Sequence, residues 1–318
     1  MKNLGGGFNA RRWLTAAALA AFVAGCGSGD DGKIFGSGGA GLSGSGAGPG
    51  PAGAAPVLGT AAGFAGLAGG GAGMTNQGIF TVISGAGGQP VSIGTTGAST
   101  LVTGFHDNSM AYTPPNGGPA TGCTYTETTL NIGAVDGTIN TDAPPPTLEC
   151  AHEGTAATKA LADQAAADAL AAFNDLAGRP GATDPGQNLG GLTLAPGVYA
   201  HAAGDFLITG SDLTLDAGGN TEAVWVFQMA NTLTVGDVAP SSVILAGGAL
   251  PGNVFWQVGS SATINGAGGG TMAGTIISSA GTSFSTAGNP CCTTLNGRAL
   301  ALNASVTLVN TVINVPAP

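Results

Sequence analysis

Residues 223–235 read AVWVFQMANTLTV, and residues 253–264 read NVFWQVGSSATI. In each stretch an almost wholly apolar run is followed, after a short polar turn, by a run in which apolar and hydroxyl-bearing residues alternate. Successive side chains of a β-strand point to opposite faces, so the first run predicts a strand buried on both faces and the second a strand buried on one. The pair of runs recurs along the second half of the chain, which indicates a repeat architecture.

Each repeat is predicted to contain three short strands, separated by turns rich in Gly, Asn and Asp. First strands are expected at residues 198–200, 224–228, 254–257, 275–277 and 298–301. Second strands are expected at 206–209, 232–235, 262–264, 282–285 and 305–308, and third strands at 213–215, 243–245, around 272, 294–295 and 311–313. Such repeats form a mainly β, three-sided solenoid, whose coils stack about 4.7–4.9 Å apart and bury their apolar residues only together.

A single long α-helix is predicted over residues 155–177, where alanine is abundant. Thr155 is the expected N-cap, and Gly178 followed by Arg179 and Pro180 is a stop signal. Apolar residues at three- and four-residue steps form one stripe, made of Leu161, Ala165, Ala169, Phe173 and Leu176. Because the first strands are apolar on both sides and need a cover, we expect this stripe to pack on the first face of the solenoid.

The second strands alternate between the core and the surface. The residues expected to point inward are Phe206, Ile208, Leu233, Val235, Ala262, Ile264, Val306 and Leu308. The residues expected to point outward are Thr209, Thr232, Thr234, Ser261, Thr263, Ser285, Ser305 and Thr307. In the fourth coil Ser283, Phe284 and Ser285 blur the alternation. The third face is less regular, with Thr214, Ser242 and Thr311 expected outward.

Two interpretations of the outward threonines remain open. Thr favours β-strands, and solenoids stack like residues, so the column can be purely structural. Alternatively, a flat and uncharged array of methyl and hydroxyl groups at strand spacing can hold water in an ordered, ice-like arrangement.

The N-terminus is typical of an exported lipoprotein, with a predicted signal peptide over residues 1–25. Lys2, Arg11 and Arg12 form its basic region, and residues 13–23 are apolar but too short for an ordinary transmembrane span. Residues 23–26 (VAGC) resemble a bacterial lipobox, which makes Cys26 the expected lipidation site. Gly27 and Ser28 show no inner-membrane retention signal, so we expect an outer-membrane or cell-surface location.

Residues 26–56 are rich in Gly, Ser, Ala and Pro and are predicted to form a flexible linker. The folded domain is expected over 57–318, with short strands near 78–84, 90–94 and 100–103, and with residues 105–150 irregular. Cys123 and Cys150 lie in this segment and are expected to form a disulfide in an oxidising compartment. The adjacent Cys291 and Cys292 either form a bridge or stay as thiols.

The charge composition argues against a nucleic-acid-binding function. The chain has 7 Lys and Arg against 17 Asp and Glu. Outside the predicted signal peptide only four basic residues remain, namely Lys33, Lys159, Arg179 and Arg298. Nucleic-acid binding needs clustered basic residues to neutralise phosphates, so we expect no nucleic-acid partner.

Candidate catalytic groups are few. His106, His152 and His201 lack a helical partner four residues away or an evident Ser/Asp constellation. The carboxylates Asp205, Asp212, Asp216 and Glu222 are interpreted as turn residues bonding local backbone rather than as glycosidase acids. Arg298 is interpreted as a structural residue that bonds backbone carbonyls. We therefore expect no enzymatic activity, no cofactor, no metal site and no small-molecule substrate.

Segments along the chain, among them 101–105 (LVTGF), 177–182 (AGRPGA) and 273–278 (AGTIIS), resemble in order those of a known protein family. Residues 58–69 (LGTAAGFAGLAG), 189–199 (LGGLTLAPGVY), 213–219 (LTLDAGG), 223–234 (AVWVFQMANTLT), 253–264 (NVFWQVGSSATI) and 296–313 (NGRALALNASVTLVNTVI) resemble the microbial ice-binding-like β-solenoid family. The motifs span most of residues 57–316.

The resemblance implies a discontinuous right-handed parallel β-helix with a long helix alongside, and an activity of antifreeze type, ice-recrystallisation inhibition or adhesion to ice. It implies that the outward second-strand residues contact ice, and that 105–150 is a capping insertion. Phe284 and the loop at Cys291 and Cys292 are expected to interrupt the threonine column. The expected partners are ice and, through Cys26, a membrane, with the protein itself a monomer. The alternative is an adhesive or structural surface module without ice activity.

Overall fold

The computed structural model describes residues 52–107, 127–143, 154–285 and 291–317. Parallel strands stack into three faces, as the repeat predicted. The first face contains, in stacking order, β10 (Gly197–Ala200), β13 (Trp225–Met229), β16 (Val254–Val258), the second halves of β18 (Thr271–Ser278) and β20 (Thr293–Ala301), β1 (Phe64–Ala68), β4 (Ser92–Ala98) and β8 (Ile139–Asp142).

The second face is a sheet of seven strands. In stacking order they are β11 (Phe206–Ile208), β14 (Leu233–Val235), β17 (Ala262–Ile264), β19 (Thr282–Phe284), β21 (Val306–Leu308), β2 (Met74–Asn76) and β5 (Val102–Thr103).

The third face begins with the three-stranded sheet of β9 (Thr193–Leu194), β12 (Leu213–Asp216) and β15 (Val243–Ala246). It continues with the first halves of β18 and β20, then β22 (Thr311–Val315), β3 (Thr81–Gly85), β7 (Gly133–Val135) and β6 (His106–Asp107).

The stacking order is discontinuous in sequence. The N-terminal strands lie beyond the C-terminal coil, because β1 pairs with β20, β2 with β21 and β3 with β22. Residues 105–150 were expected to be irregular, but their described part contains β6, β7 and β8. β6 and β8 each end a sheet path, and β7 lies one place further in, between β3 and β6.

The helix α1 (Ala156–Ala177) packs on the first face, as predicted, with Thr155 as its N-cap. At its start the Thr158 hydroxyl donates to the Thr141 carbonyl at 2.8 Å. At its end the Gln228 side-chain amide donates to the Leu176 carbonyl at 2.7 Å. The helix has 22 residues and is about 33 Å long, which matches the stacking height of the eight strands beneath it.

The buried stripe of the helix differs from the predicted one. Its members are Ala162, Ala165, Ala169, Ala172 and Leu176. Leu161 is 51% exposed, and Phe173 is only partly buried. The small alanines let the helix approach the sheet closely, while large side chains from the strands fill the layer between them. Val226, Phe255 and Leu300 supply that bulk.

The interior of the solenoid is a second apolar layer. The strands of the first face contribute Trp225, Phe227 and Trp256 to it, all fully buried. The rings of Phe227 and Trp256 stack with centroids 4.1 Å apart. Among the described residues, no helix is both long enough and apolar enough to cross a membrane.

Candidate functional site

The second face carries a continuous column of hydroxyl groups. The strand registers align one outward residue from each strand, in the order Leu207, Thr234, Thr263, Ser283, Thr307, Thr75 and Thr103. All seven are at least partly exposed, and every member except Leu207 bears a hydroxyl. Neighbouring strands set the spacing along this column at about 4.7–4.9 Å.

A flanking column runs parallel to the first, two residues earlier in each coil. Backbone hydrogen bonds between coils align its members, which are Asp205, Thr232, Ser261, Gly281, Ser305 and Gly73. The rise of a β-strand places the two columns about 6.4–6.8 Å apart. We call the surface formed by these two columns the threonine face. Its charged member is Asp205, at the β11 end, whose carboxylate accepts from the Gln187 side-chain amide at 2.7 Å. From Thr232 to Thr103 the threonine face carries no charge.

The threonine face is held by the core beneath it. The inward neighbours of its residues are fully buried or nearly so, including Phe206, Leu233, Ile264 and Val306. Met74 and Val102 play the same part below Thr75 and Thr103. A close-packed interior resists deformation, so the outward groups keep the spacing of the strands.

Six of the eight predicted surface residues lie in these columns: Thr232, Thr234, Ser261, Thr263, Ser305 and Thr307. Thr209 is partly exposed but stands outside both columns, since the residues that follow it in the stack, Gly236 and Asn265, lie in turns with positive φ.

The prediction of Ser285 as a surface contact is wrong. Ser285 is completely buried, with a left-handed φ of 52°. β19 ends at Phe284, so the strand alternation does not extend to Ser285. The outward residue of this coil is Ser283, which pairs with Thr263 and Thr307. Phe284 does not interrupt the column, because it is buried beside Ile264 in the core.

Thr75, Thr103 and Ser283 were not predicted as part of this surface. The sequences Met-Thr-Asn at 74–76 and Val-Thr at 102–103 do show the alternation of apolar and hydroxyl residues. Each is too short to stand out, and only the stacking of β2 on β21 aligns them with the C-terminal coils.

The chain's sequence relationships agree with this architecture. A sequence model of the ice-binding-like family matches residues 68–314. The chain belongs to the ice-binding-like family. An ice-binding protein from Nostoc sp. (strain HG1) is 40% identical over 214 residues, which cover 65% of this chain and 74% of that protein.

Solved structures of ice-binding-like proteins share the fold. The ice-binding protein of the Antarctic ascomycete Antarctomyces psychrotrophicus is 28% identical with a TM-score of 0.58, covering 83% of this chain and all of the other. An ice-binding protein with antifreeze activity from an Arctic yeast is 26% identical with a TM-score of 0.59, covering 83% and 96% of the two chains. None of these relatives is named as an enzyme.

The third face of this ice-binding-like protein is less regular, as expected. Its outward column includes the apolar residues Val82 and Ile244, which are 45% and 43% exposed. Thr311 was predicted to point outward, but it is buried and its hydroxyl donates to the Val309 carbonyl at 3.1 Å. The threonine face is therefore the most regular hydroxyl-bearing surface of the described residues.

The described histidines each face a carboxylate. His201 Nδ1 lies 2.9 Å from Asp184 Oδ1. His106 Nδ1 lies 2.7 Å from the buried carboxylate of Glu127, and this hydrogen bond raises the pKa of His106 above 6.5. His152 lies outside the described residues.

Two of the four candidate carboxylates and the buried arginine bond the backbone, whereas Asp205 accepts from the Gln187 side-chain amide at 2.7 Å. Asp212 accepts from the Ser242 amide at 2.7 Å and Asp216 from the Gly218 amide at 2.9 Å. Arg298 donates to the Ala62 carbonyl at 3.0 Å, as its structural interpretation predicted. In the part of the chain that the structure describes, no group of three or more His, Cys, Asp or Glu could hold a metal ion.

The cysteines divide into two groups. Cys291 and Cys292, for which a bridge and free thiols were both open, are joined by a disulfide. Cys26, Cys123 and Cys150 lie outside the described residues, so their predicted lipidation and pairing stay predictions.

Proposed function

We propose that this protein binds ice through its threonine face. Membership of the ice-binding-like family favours ice binding over an adhesive module without ice activity. The observation that carries the choice of face is the unbroken run of six hydroxyl-bearing residues from Thr234 to Thr103 in one register.

The physical basis is the pairing of methyl and hydroxyl groups on a fixed lattice. A threonine methyl favours cage-like water, and the adjacent hydroxyl hydrogen-bonds that water in place. Because the columns repeat at about 4.8 Å in one direction and about 6.6 Å in the other, the held water is ordered in two dimensions. Charged groups would impose their own strong hydration, and the threonine face has none from Thr232 to Thr103. Freezing of this water layer onto a crystal then anchors the protein.

The test places a large ring in the centre of the threonine face. Thr234→Tyr and Thr263→Tyr should each reduce thermal hysteresis and inhibition of ice recrystallisation several-fold, and together abolish them. Both positions are exposed or partly exposed, so the fold should survive. The matched control is Thr214→Tyr on the third face, which is also partly exposed. Full activity in the folded double variant, or an equal loss in the control, would show that another surface binds ice.

The protein acts by adsorption and not by catalysis. This part of the proposal is supported by the family and by Asp212 and Asp216, whose carboxylates bond backbone amides. Incubation with a panel of polysaccharides and esters should release no product, and steady turnover of any of them would contradict it.

We also infer that the protein is exported and tethered to the cell surface through lipid on Cys26. The basic and apolar regions before Cys26 and the Gly-rich sequence after it support this. Labelled palmitate should be incorporated into the wild-type chain in bacteria, and Cys26→Ser should release the protein from membranes. If Cys26→Ser stayed in the membrane fraction as fully as the wild-type protein, the lipid anchor would be contradicted.

A further inference from the structure

The corner between the third and first faces contains a groove. β18 and β20 each run from one face to the other without an intervening loop. Two glycines allow this bend. Gly274 has a left-handed φ of 109°. At Gly297 a side chain would not fit, because its Cβ would overlap the Gly274 carbonyl oxygen. The neighbouring loops at 221–222 and 250–253 form one wall and the segments 55–62 and 315–317 the other, around a volume of about 740 Å³.

The groove is apolar along most of its lining. Leu58, Leu250, Phe255, Val315 and Pro316 all contribute to it. Its volume falls within the range of about 300–1,000 Å³ that is typical of small-molecule sites. An elongated apolar ligand would therefore bury much of its surface here.

A buried cation lies at this groove. Arg298 is only 4% exposed, and its Nε and Nη2 donate to the carbonyls of Ala62 and Pro316 at 3.0 and 3.4 Å. Its Nη1 has no hydrogen-bond acceptor among the described residues, and no described carboxylate forms an ion pair with it. Burial lowers the pKa of the Arg298 guanidinium to about 10, so it stays protonated at neutral pH.

A second donor lies on the same strand. The Asn296 carbonyl oxygen accepts from the Asn314 amide at 3.1 Å, which leaves the Asn296 amide nitrogen without an acceptor in the described chain. Asn296 and Arg298, on either side of Gly297, both line the groove. A buried guanidinium that lacks a counter-ion among the described residues is unfavourable, and a carboxylate matches its planar donors.

We propose that this groove binds an amphiphilic monocarboxylate, such as a medium-chain fatty acid. The carboxylate bonds Arg298 and Asn296, and the alkyl chain lies along Phe255 and Leu250. Glu222, exposed at the rim, disfavours polyanions and so favours a single charge. This site is independent of the threonine face, because the groove lies between the third and first faces and the threonine face lies on the second.

The experiment is calorimetric titration of the purified full-length protein with sodium octanoate and, as a neutral match, with 1-octanol. Octanoate should bind saturably with a Kd of about 1 mM or tighter, and octanol at least about tenfold more weakly. Asn296→Asp should weaken octanoate at least tenfold through charge repulsion, and Glu222→Gln should tighten it about twofold. Leu250→Glu, a surface change, should also block binding without affecting the core.

Each variant should keep the wild-type circular dichroism spectrum and full ice activity, which separates this site from the threonine face. Equal affinity for octanoate and octanol would overturn the role of Arg298. Absence of saturation up to about 10 mM octanoate would overturn the site as a whole.

Discussion

Ser283 and Ser285 are two residues apart at the end of β19, yet they lie in different environments. Ser283 continues the strand alternation and joins the threonine column between Thr263 and Thr307. Ser285 has a φ of 52° and is completely buried. A single change of backbone conformation thus decides which of the two hydroxyls lies at the surface.

This contrast predicts opposite effects of substitution at the two serines. Ser283→Tyr should reduce thermal hysteresis several-fold, because the ring projects from the threonine face. Ser285→Gly should leave it unchanged and should not lower the melting temperature, because glycine adopts the left-handed conformation without strain. Hysteresis and thermal melts of both variants check this, and a loss of ice activity in Ser285→Gly alone would reverse the assignment.

At the scale of elements, the helix and the strands beneath it depend on each other. Thr155 and Thr158 form a reciprocal capping box, in which the Thr158 amide donates to the Thr155 hydroxyl at 3.2 Å and the Thr155 amide to the Thr158 hydroxyl at 2.7 Å. In the middle of the helix, Asp168 accepts from the Thr60 amide at 2.6 Å, a hydrogen bond that lowers the pKa of Asp168. The capping box stabilises the start of the helix, and the bond from Thr60 connects its middle to the segment just before β1.

Loss of the N-cap should therefore lower the free energy of unfolding by a measurable amount. Thr155→Ala should lower the free energy of unfolding by about 1 kcal/mol, because the Thr158 amide loses its acceptor. Thr155→Ser keeps the hydroxyl and should stay close to wild type. Urea unfolding of both variants decides the matter, and equal stability of the alanine and serine variants would mean that the cap contributes little.

At the scale of the whole described domain, the C-terminal coil joins two groups of coils that are distant in sequence. On β20, Leu300 is fully buried and pairs with Ile277 of β18 on one side and Leu67 of β1 on the other. The threonine face crosses the same junction, since β21 separates β19 from β2. The length of the proposed ice-contacting surface consequently depends on this coil.

A cavity at this junction should weaken both sides of it. Leu300→Ala should cost about 2–5 kcal/mol of stability, as expected for a buried leucine. Hydrogen exchange should accelerate in β1 and β4 as well as in β16 and β18. Faster exchange on one side only would show that the two groups of coils unfold independently.

The sequence predicted much of this architecture because its signals are local. Alternation at residues 232–235 and 305–308 specifies which side chains are buried, and an Ala-rich stretch with a threonine cap specifies the helix. The family resemblance, carried by motifs between residues 58 and 313, was also confirmed. Six of the eight predicted surface positions lie in the threonine face for the same local reason.

Other features depend on contacts between distant parts of the chain. The short runs at 74–76 and 102–103 become part of the threonine face only because β2 stacks on β21, more than two hundred residues away. The buried side of the helix is set by the bulk of Val226 and Phe255 on the sheet, since small alanines allow the closer approach. Local periodicity determines which residues can form strands, whereas packing between coils determines which strands meet and therefore which hydroxyls share one plane.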